Sequence, residues 1–308
     1  MFAIKYFIAL GAAILLAACG AVVQPNTTQS DNLLAENIVL TSVGPIFSMT
    51  EALLEGTDIE VINLPERARS LSAQPTWFSN QSESFFPTFA QATAVISMGN
   101  IWQQDPLFLA VREHNIRVVN IDATLPYSSE LTGVSVLNRP STDSVSPHFW
   151  LSPANVIRSA KNISSDLARL FPESAERIES NEQQLSAEIV RIKAEFETKL
   201  VNSDAYIYAL ADEFSYLNNE FGIFVEEYFI KQDINWTNED LSDLTTKLRA
   251  NNIPVVIHKW EPSEAIQSAI SDAGSTLVVL NTFETETPSI TDLVTSNLNA
   301  LADALPQT

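Results

Sequence analysis

The side chains of this chain that could do chemistry gather just after short apolar runs. One such segment, residues 211–213, ends in two adjacent carboxylates, and another, residues 258–261, begins with a histidine and ends with a glutamate. A further histidine, His148, stands shortly before a predicted helix. Imidazole and carboxylate groups hold divalent cations or transfer protons. A site built from these segments is therefore open to either kind of chemistry.

The motifs of several common enzyme classes are missing from the sequence. It has no Gly-x-Ser-x-Gly elbow, no Gly-x-Gly-x-x-Gly turn and no Walker phosphate loop, and it has only 8 glycines. Asp212 and Glu213 could form an acid–base pair, but adjacent carboxylates at a helix start usually favour the helix dipole. We therefore predict a binding protein that is not an enzyme and has no organic cofactor.

The elements that must position these residues alternate between short β-rich runs and helical patterns. Such alternation predicts parallel sheets that are covered by helices on both faces. The fold class is therefore α/β, with two lobes that each contain a mainly four-stranded parallel sheet flanked by helices. Four β-rich runs fall in each half of the chain: 38–43, 59–64, 94–98 and 118–121, then 205–209, 223–225, 254–258 and 277–280.

A long helical pattern separates the two halves. Ser152 is a good N-cap for a first helix, and Pro153 suits its first position. In a second helix, apolar residues recur at spacings of three, four and seven, from Ile178 to Leu200. About 28 residues would make roughly 40 Å of helix. We expect this backbone helix, residues 171–203, to join an N-terminal lobe, 38–170, to a C-terminal lobe, 204–308.

Ligands of open α/β sheets bind beyond the carboxyl ends of the strands. Two lobes that face each other would bring two such edges together in one cleft. The loop before the Ser152 cap would add residues 147–148 to it. The other cleft candidates are the residues that follow each predicted strand: 44–45, 65–71, 99–100, 211–213, 258–261 and Asn281.

The N-terminus predicts export. Lys5 precedes a short apolar run, residues 7–16, and small residues follow, which is the order of a secretory signal. The run is about half the roughly 20 residues of a membrane-spanning helix. Residues 16–19, Leu-Ala-Ala-Cys, resemble the lipobox of bacterial lipoproteins. This implies that the signal is residues 1–18, that Cys19 is lipidated, and that residues 19–37 tether the protein to the extracytoplasmic side of a membrane, in the periplasm or at the cell surface.

The composition restricts the partners. There are 17 basic and 38 acidic residues, a net charge of −21, and such a surface repels nucleic acid. The apolar fraction of 45% is ample for folded cores. Cys19 is the only cysteine, so neither an internal disulfide nor a thiolate metal site is possible. We expect a monomer that has no nucleic-acid partner.

Three segments resemble the zinc/manganese substrate-binding proteins of ABC transporters. Residues 146–155, SPHFWLSPAN, resemble the family's Asp-Pro-His-x-Trp-Leu-Asp-Pro-x-Asn segment. Residues 214–223 resemble its His-x-Ala-Phe-x-Tyr…Tyr-Gly-Leu segment, and residues 94–104 resemble one of its strands with the following loop. The resemblance implies a two-lobed clamp that binds a divalent metal through three histidines and a carboxylate and hands it to an ABC permease.

The sequence departs from the ligand pattern of this family. His148 is the one expected ligand that is plainly kept. Ser70 falls roughly at the first histidine position, and Ala211 replaces the third histidine. His258 falls near the usual glutamate position and Asn281 near the late aspartate position.

Two interpretations of the altered site remain open. In the first, the chain is a solute-binding lipoprotein whose rebuilt site holds zinc or manganese as the transported ligand. Glu261 would be a further oxygen source for that site. Its principal ligands would be His148, His258, Asp212 and Glu213.

In the second interpretation, the metal site has been lost. Arg67 and Arg69 are two cations in the loop of the first ligand, where they would oppose a metal and attract an anion. The cleft would then bind a different, possibly anionic solute, or the fold would serve as an interaction or adhesion lipoprotein without transport.

Overall fold

The computed structural model describes residues 37–306, without the side chains of residues 81 and 82. The predicted signal segment, Cys19 and all of the predicted tether except residue 37 lie outside the described residues. Within residues 37–306, no helix is both long and apolar enough to span a membrane.

The first half of the chain forms a four-stranded parallel sheet with the strand order β2-β1-β3-β4. Successive residues of its central strand β1 enter different hydrophobic clusters, since Val39 joins one and Leu40 another. This alternation confirms that both faces of the sheet are covered. Its strands and helices are β1 Asn37–Thr41, α1 Gly44–Leu54, β2 Ile59–Asn63, α2 Gln74–Gln81, α3 Phe86–Gln91, β3 Ala92–Ser97, α4 Leu107–His114 and β4 Val119–Asp122.

The second half repeats this design with the strand order β6-β5-β7-β8, again all parallel. The two sheets confirm the predicted α/β class, and each observed strand lies within a few residues of its predicted run. The elements are β5 Tyr206–Ala209, α7 Ser215–Glu220, β6 Phe224–Tyr228, α8 Asn238–Ala250, β7 Val255–His258, α9 Glu264–Asp272, β8 Thr276–Val279 and α10 Ile290–Ala304.

Two helices connect the sheets, α5 Pro153–Leu170 and α6 Ala175–Leu200. The Ser152 hydroxyl accepts a hydrogen bond from the Asn155 N–H, so the predicted cap is present. The 26 residues of α6 make roughly 39 Å of helix. It packs against α1 and α5 of the first half and α10 of the second. One hydrophobic cluster runs through both halves, and the lobe boundaries 38–170, 171–203 and 204–308 stay predictions.

The segment that follows β8, residues 281–289, crosses to the first half of the chain, and we call it the crossing segment. The Trp150 indole donates to the Thr282 carbonyl at 2.9 Å, and the Ser48 hydroxyl donates to the Pro288 carbonyl at 2.5 Å. Gly44 permits this approach, because a Cβ there would lie 1.8 Å from the Glu286 carbonyl oxygen. The crossing segment therefore carries second-half residues to the edge of the first sheet.

Candidate functional site

A cleft of about 790 Å³ lies at the carboxyl ends of the strands. The first half lines it with residues 70–72 and 100–104 and with part of the loop 139–147. The second half contributes three charged side chains, each following a different strand: Glu213, Lys259 and Glu284. The cleft lies where the topology places ligands in open α/β sheets.

His148 and Glu284 join the two halves at the wall of this cleft, which Glu284 lines. His148 is fully buried, and its Nε2 lies 2.5 Å from Glu284 Oε1. The other oxygen of Glu284 accepts a hydrogen bond from the Leu71 N–H at 3.0 Å. The second ring nitrogen of His148, Nδ1, is buried without a hydrogen-bond partner. This pair is an imidazole–carboxylate unit of the kind that binds divalent metals.

Glu284 is ionised in this setting. Burial raises the pKa of Glu284, but the hydrogen bond and charge of His148, the Leu71 N–H and the charge of Lys259 together hold it below its usual value. The carboxylate is therefore available as an oxygen ligand at neutral pH.

The crossing segment fixes the position of Glu284. Asn281 is the first residue of this segment and has a structural role, because its side-chain oxygen accepts the Phe283 N–H at 2.7 Å. Its own N–H and C=O are bonded by the Asn297 side chain, each at 2.8 Å. The predicted cleft candidate Asn281 thus holds the turn, and the carboxylate that reaches the cleft is Glu284, three residues later.

Glu213 and Asp212 are each paired with a cation. Lys259 Nζ lies 2.5 Å from Glu213 Oε1. Arg139 lies 3.5 Å from Asp212 and 3.9 Å from Glu213, and the Ser141 hydroxyl also donates to Asp212. Burial raises the pKa of Glu213, but the hydrogen bond and charge of Lys259 outweigh it and lower this pKa. Both carboxylates are therefore engaged by cations of the same chain.

Asp105 holds the cleft loop that follows β3. Its carboxylate accepts the Met98 N–H at 2.8 Å and the Leu107 N–H at 3.1 Å, which ties the two ends of residues 98–107 together. Burial raises the pKa of Asp105 to about 6, although the two N–H groups act in the opposite direction. This loop carries Trp102 into the cleft lining.

His258 ends β7, and its ring contacts residues of the second half. Its Nδ1 accepts the Lys259 N–H at 2.8 Å, and its Nε2 lies 3.4 Å from Asp233 Oδ1. Its ring lies 4.7 Å from that of Trp260. Burial lowers the pKa of His258 more than the Asp233 charge raises it. No contact joins this ring to His148 or Glu284 among the described residues.

The remaining sequence candidates are spread out. Ser70 lines the cleft, and Glu261 is exposed. Arg67 and Arg69 are exposed outside the cleft lining, with Arg69 lying 6.0 Å from the centre of the Trp77 ring. Across residues 37–306, no three or more histidine, cysteine, aspartate or glutamate side chains are grouped so as to hold a metal ion. The structure thus does not gather the ligand set His148, His258, Asp212 and Glu213, which stays a prediction.

A family model described as "Zinc-uptake complex component A periplasmic" matches residues 39–304, nearly all of the described chain. The chain belongs to this family. The resemblance seen in the sequence is confirmed, and the zinc-uptake family is one of periplasmic solute-binding components rather than enzymes.

The chain is also similar to a protein of a bacterial zinc uptake system. The high-affinity zinc uptake system protein ZnuA of Bacillus subtilis (strain 168) is 25% identical over 175 residues, which are 52% of this chain and 53% of that protein. The chain is thus aligned with only about half of that relative's length.

Two solved structures share the fold. The metal-dependent lipoprotein YcdH of Bacillus subtilis has a TM-score of 0.69 at 19% identity, covering 87% of this chain and 98% of that one. Zn(II)-bound AdcA of Streptococcus pneumoniae has a TM-score of 0.69 at 19% identity, covering 88% of this chain and 58% of that one.

Two charged cleft residues of this zinc-uptake family member were missed by sequence reasoning: Arg139 and Glu284. Lys259 falls within the predicted cleft segment 258–261, but the sequence assigned it no role there. Glu284 is 136 residues from its partner His148, and only its nearness to the end of β8 pointed to the cleft. Arg139 lies in a loop without a preceding strand, and no sequence signal marked it.

Proposed function

We propose that the protein is the extracytoplasmic solute-binding component of an ABC transporter and captures a divalent metal ion, zinc or manganese, in its cleft. The observation that carries this proposal is the pair of the buried His148 and the partly buried Glu284, which joins the two halves of the chain at the cleft. Membership of a zinc-uptake family and the Zn(II)-bound state of AdcA support it.

The His148–Glu284 pair needs little movement to hold a metal. Tetrahedral zinc with bonds of about 2.0–2.2 Å separates two ligand atoms by about 3.4 Å. The present 2.5 Å separation of Nε2 and Oε1 would widen by about 0.9 Å. Glu213 is the other carboxylate of the cleft lining, and Ser70 lines the same cleft. Asp212 and His258 would first have to leave Arg139 and Asp233.

The charge around the cleft favours a cation. Glu213 and Glu284 line the cleft with two negative charges, and Arg139 and Lys259 line it with two positive charges. Asp212 is not a lining residue, but it pairs with Arg139 and adds a third negative charge. The balance of these five groups is one negative charge, which attracts a divalent ion and disfavours an anionic solute. Arg67 and Arg69 do not alter this, because neither lines the cleft.

The unpartnered nitrogen of His148 weakens the proposed site. A metal on Nε2 places the ring proton on Nδ1, which is buried and has no acceptor. An unsatisfied buried donor costs about 1–3 kcal/mol, or roughly 5- to 150-fold in affinity. We therefore expect a weaker site than one in which the second imidazole nitrogen donates to a carboxylate or carbonyl.

The location is part of the same proposal. We expect Cys19 to carry lipid and residues 19–37 to tether a monomeric binding protein within reach of an ABC permease. The likeness to YcdH, which is described as a metal-dependent lipoprotein, supports the anchor. Labelling cells with a radioactive fatty acid tests it, because Cys19→Ser abolishes incorporation if Cys19 is the acylated residue.

Elemental analysis and titration calorimetry on the purified, metal-stripped protein test the capture of metal. We expect about one zinc or manganese per chain, and at least a roughly tenfold loss of affinity in His148→Ala and in Glu284→Gln. His114→Ala is the control, because this exposed histidine stacks on Phe86 outside the cleft. Absence of binding, or equal binding in all four proteins, would contradict the proposal and favour another solute or an interaction module.

A further inference from the structure

We infer that the Lys259 ammonium is a built-in competitor of the metal, occupying the Glu213 carboxylate and thereby setting the affinity of the cleft. This inference rests on the proposed metal capture. It adds a residue that determines affinity, although Lys259 is not itself a metal ligand.

The contacts of Glu213 give the first reason. Its Oε1 lies 2.5 Å from Lys259 Nζ, and its side chain is only 7% exposed. Arg139, at 3.9 Å, is engaged more closely by Asp212 at 3.5 Å. Lys259 is therefore the cation that holds the oxygen a metal would need from Glu213.

The reach of the Lys259 charge gives the second reason. Lys259 lines the same cleft as Glu213 and Glu284, and its charge acts on both carboxylates. A divalent ion between His148 and Glu284 would face this ammonium across the cleft. Like charges in a partly buried site repel each other strongly, so metal binding requires that Lys259 move away.

Lys259 is able to move. Its side chain is 29% exposed, and its ammonium lies 4.7 Å from the centre of the half-exposed Trp260 ring. The ammonium can therefore turn to solvent along this ring without being buried elsewhere. A metal that displaces it gains Glu213 as a ligand but must overcome the Lys259–Glu213 ion pair.

Replacing Lys259 by a neutral residue tests the inference. Lys259→Gln frees Glu213 and removes the opposing charge, so we expect zinc affinity to rise at least about tenfold in titration calorimetry. Lys259→Arg keeps a cation and does not show this gain. Lys247→Gln is the matched control, because Lys247 pairs with Glu227 at the same 2.5 Å but lies on α8 outside the cleft lining.

Four outcomes separate this inference from the proposed function. A gain confined to Lys259→Gln supports the inference. Zinc binding by the natural protein that Lys259→Gln leaves unchanged or weakens overturns the inference and leaves metal capture standing. Binding by Lys259→Gln but not by the natural protein supports Lys259 as the block and overturns capture by the natural chain. Absence of zinc binding in both proteins overturns both.

Discussion

His148 lies just before α5 and His258 ends β7, and both are almost completely buried, yet their surroundings differ. His148 reaches across the molecule to Glu284, and its second nitrogen has no partner. His258 accepts the N–H of its own neighbour Lys259 and faces Asp233 of a nearby loop. The first histidine belongs to a site between the two halves, and the second belongs to the local structure of one half. Burial alone therefore does not distinguish the two histidines; the partners of their ring nitrogens do.

The largest expected difference between the two histidines concerns metal affinity. We expect His148→Gln to weaken zinc binding by about 100-fold, or about 2.7 kcal/mol, and His258→Gln to change it by less than about threefold. Titration calorimetry measures both. An equal loss in the two variants would instead favour the predicted ligand set that contains both histidines.

Each histidine has a neighbouring tryptophan, and replacing that tryptophan measures how much the region contributes to the unfolding free energy. Trp150→Phe removes a buried hydrogen bond to the crossing segment and leaves the Thr282 carbonyl unpaired, so we expect a loss of about 1–3 kcal/mol in unfolding free energy. Trp260→Phe removes a bond to Asp233 from a ring that is 44% exposed, and should cost less than about 0.5 kcal/mol. Urea unfolding measures both, and equal losses would remove the distinction.

The helix caps near the two histidines should matter equally for stability and unequally for the site. Ser152 caps α5 just after the His148 loop, and Thr237 caps α8 after the loop of Asp233. Replacing either by alanine should cost about 1 kcal/mol. Zinc calorimetry on the two variants should show weaker binding only in Ser152→Ala, because that cap positions His148. Weaker zinc binding in Thr237→Ala as well would contradict the separation of the His148 region from the His258 region.

Acid should affect the two regions in different pH ranges. Burial lowers the pKa of His258 from 6.5, so its contribution to stability is present above pH 6.5 and is lost as the pH falls through the lowered value. Burial raises the pKa of Glu284, but its contacts with His148 outweigh this and lower it from 4.5. The Glu284 contribution is thus full above pH 4.5 and is lost only in stronger acid.

Thermal unfolding as a function of pH checks these two ranges. His258→Gln should flatten the dependence just below pH 6.5 and Glu284→Gln only that below pH 4.5. A single shared range in both variants would contradict the assignment.

Local patterns predicted most of the fold. The strand runs were recognisable because buried parallel strands are short, continuous and rich in β-branched residues. The start of α5 was recognisable because Ser152 and Pro153 meet the needs of a helix N-terminus. The cleft was predictable in position, since strand ends of open sheets meet at one edge. The residues that supply the chemistry of the cleft were harder to predict, because His258 lies at such a strand end and still bonds to local partners.

The sequence by itself determined the α/β class, the two sheets, the long helix between them and His148 as the kept residue of a family motif. These depend on periodicity and on short motifs, which act over a few residues. Only the tertiary structure decided that Glu284 partners His148, that Lys259 holds Glu213 and that Arg67 and Arg69 lie outside the cleft. The His148–Glu284 pair joins residues far apart in the chain, and it depends on the crossing segment, which Gly44 allows to approach the first half closely.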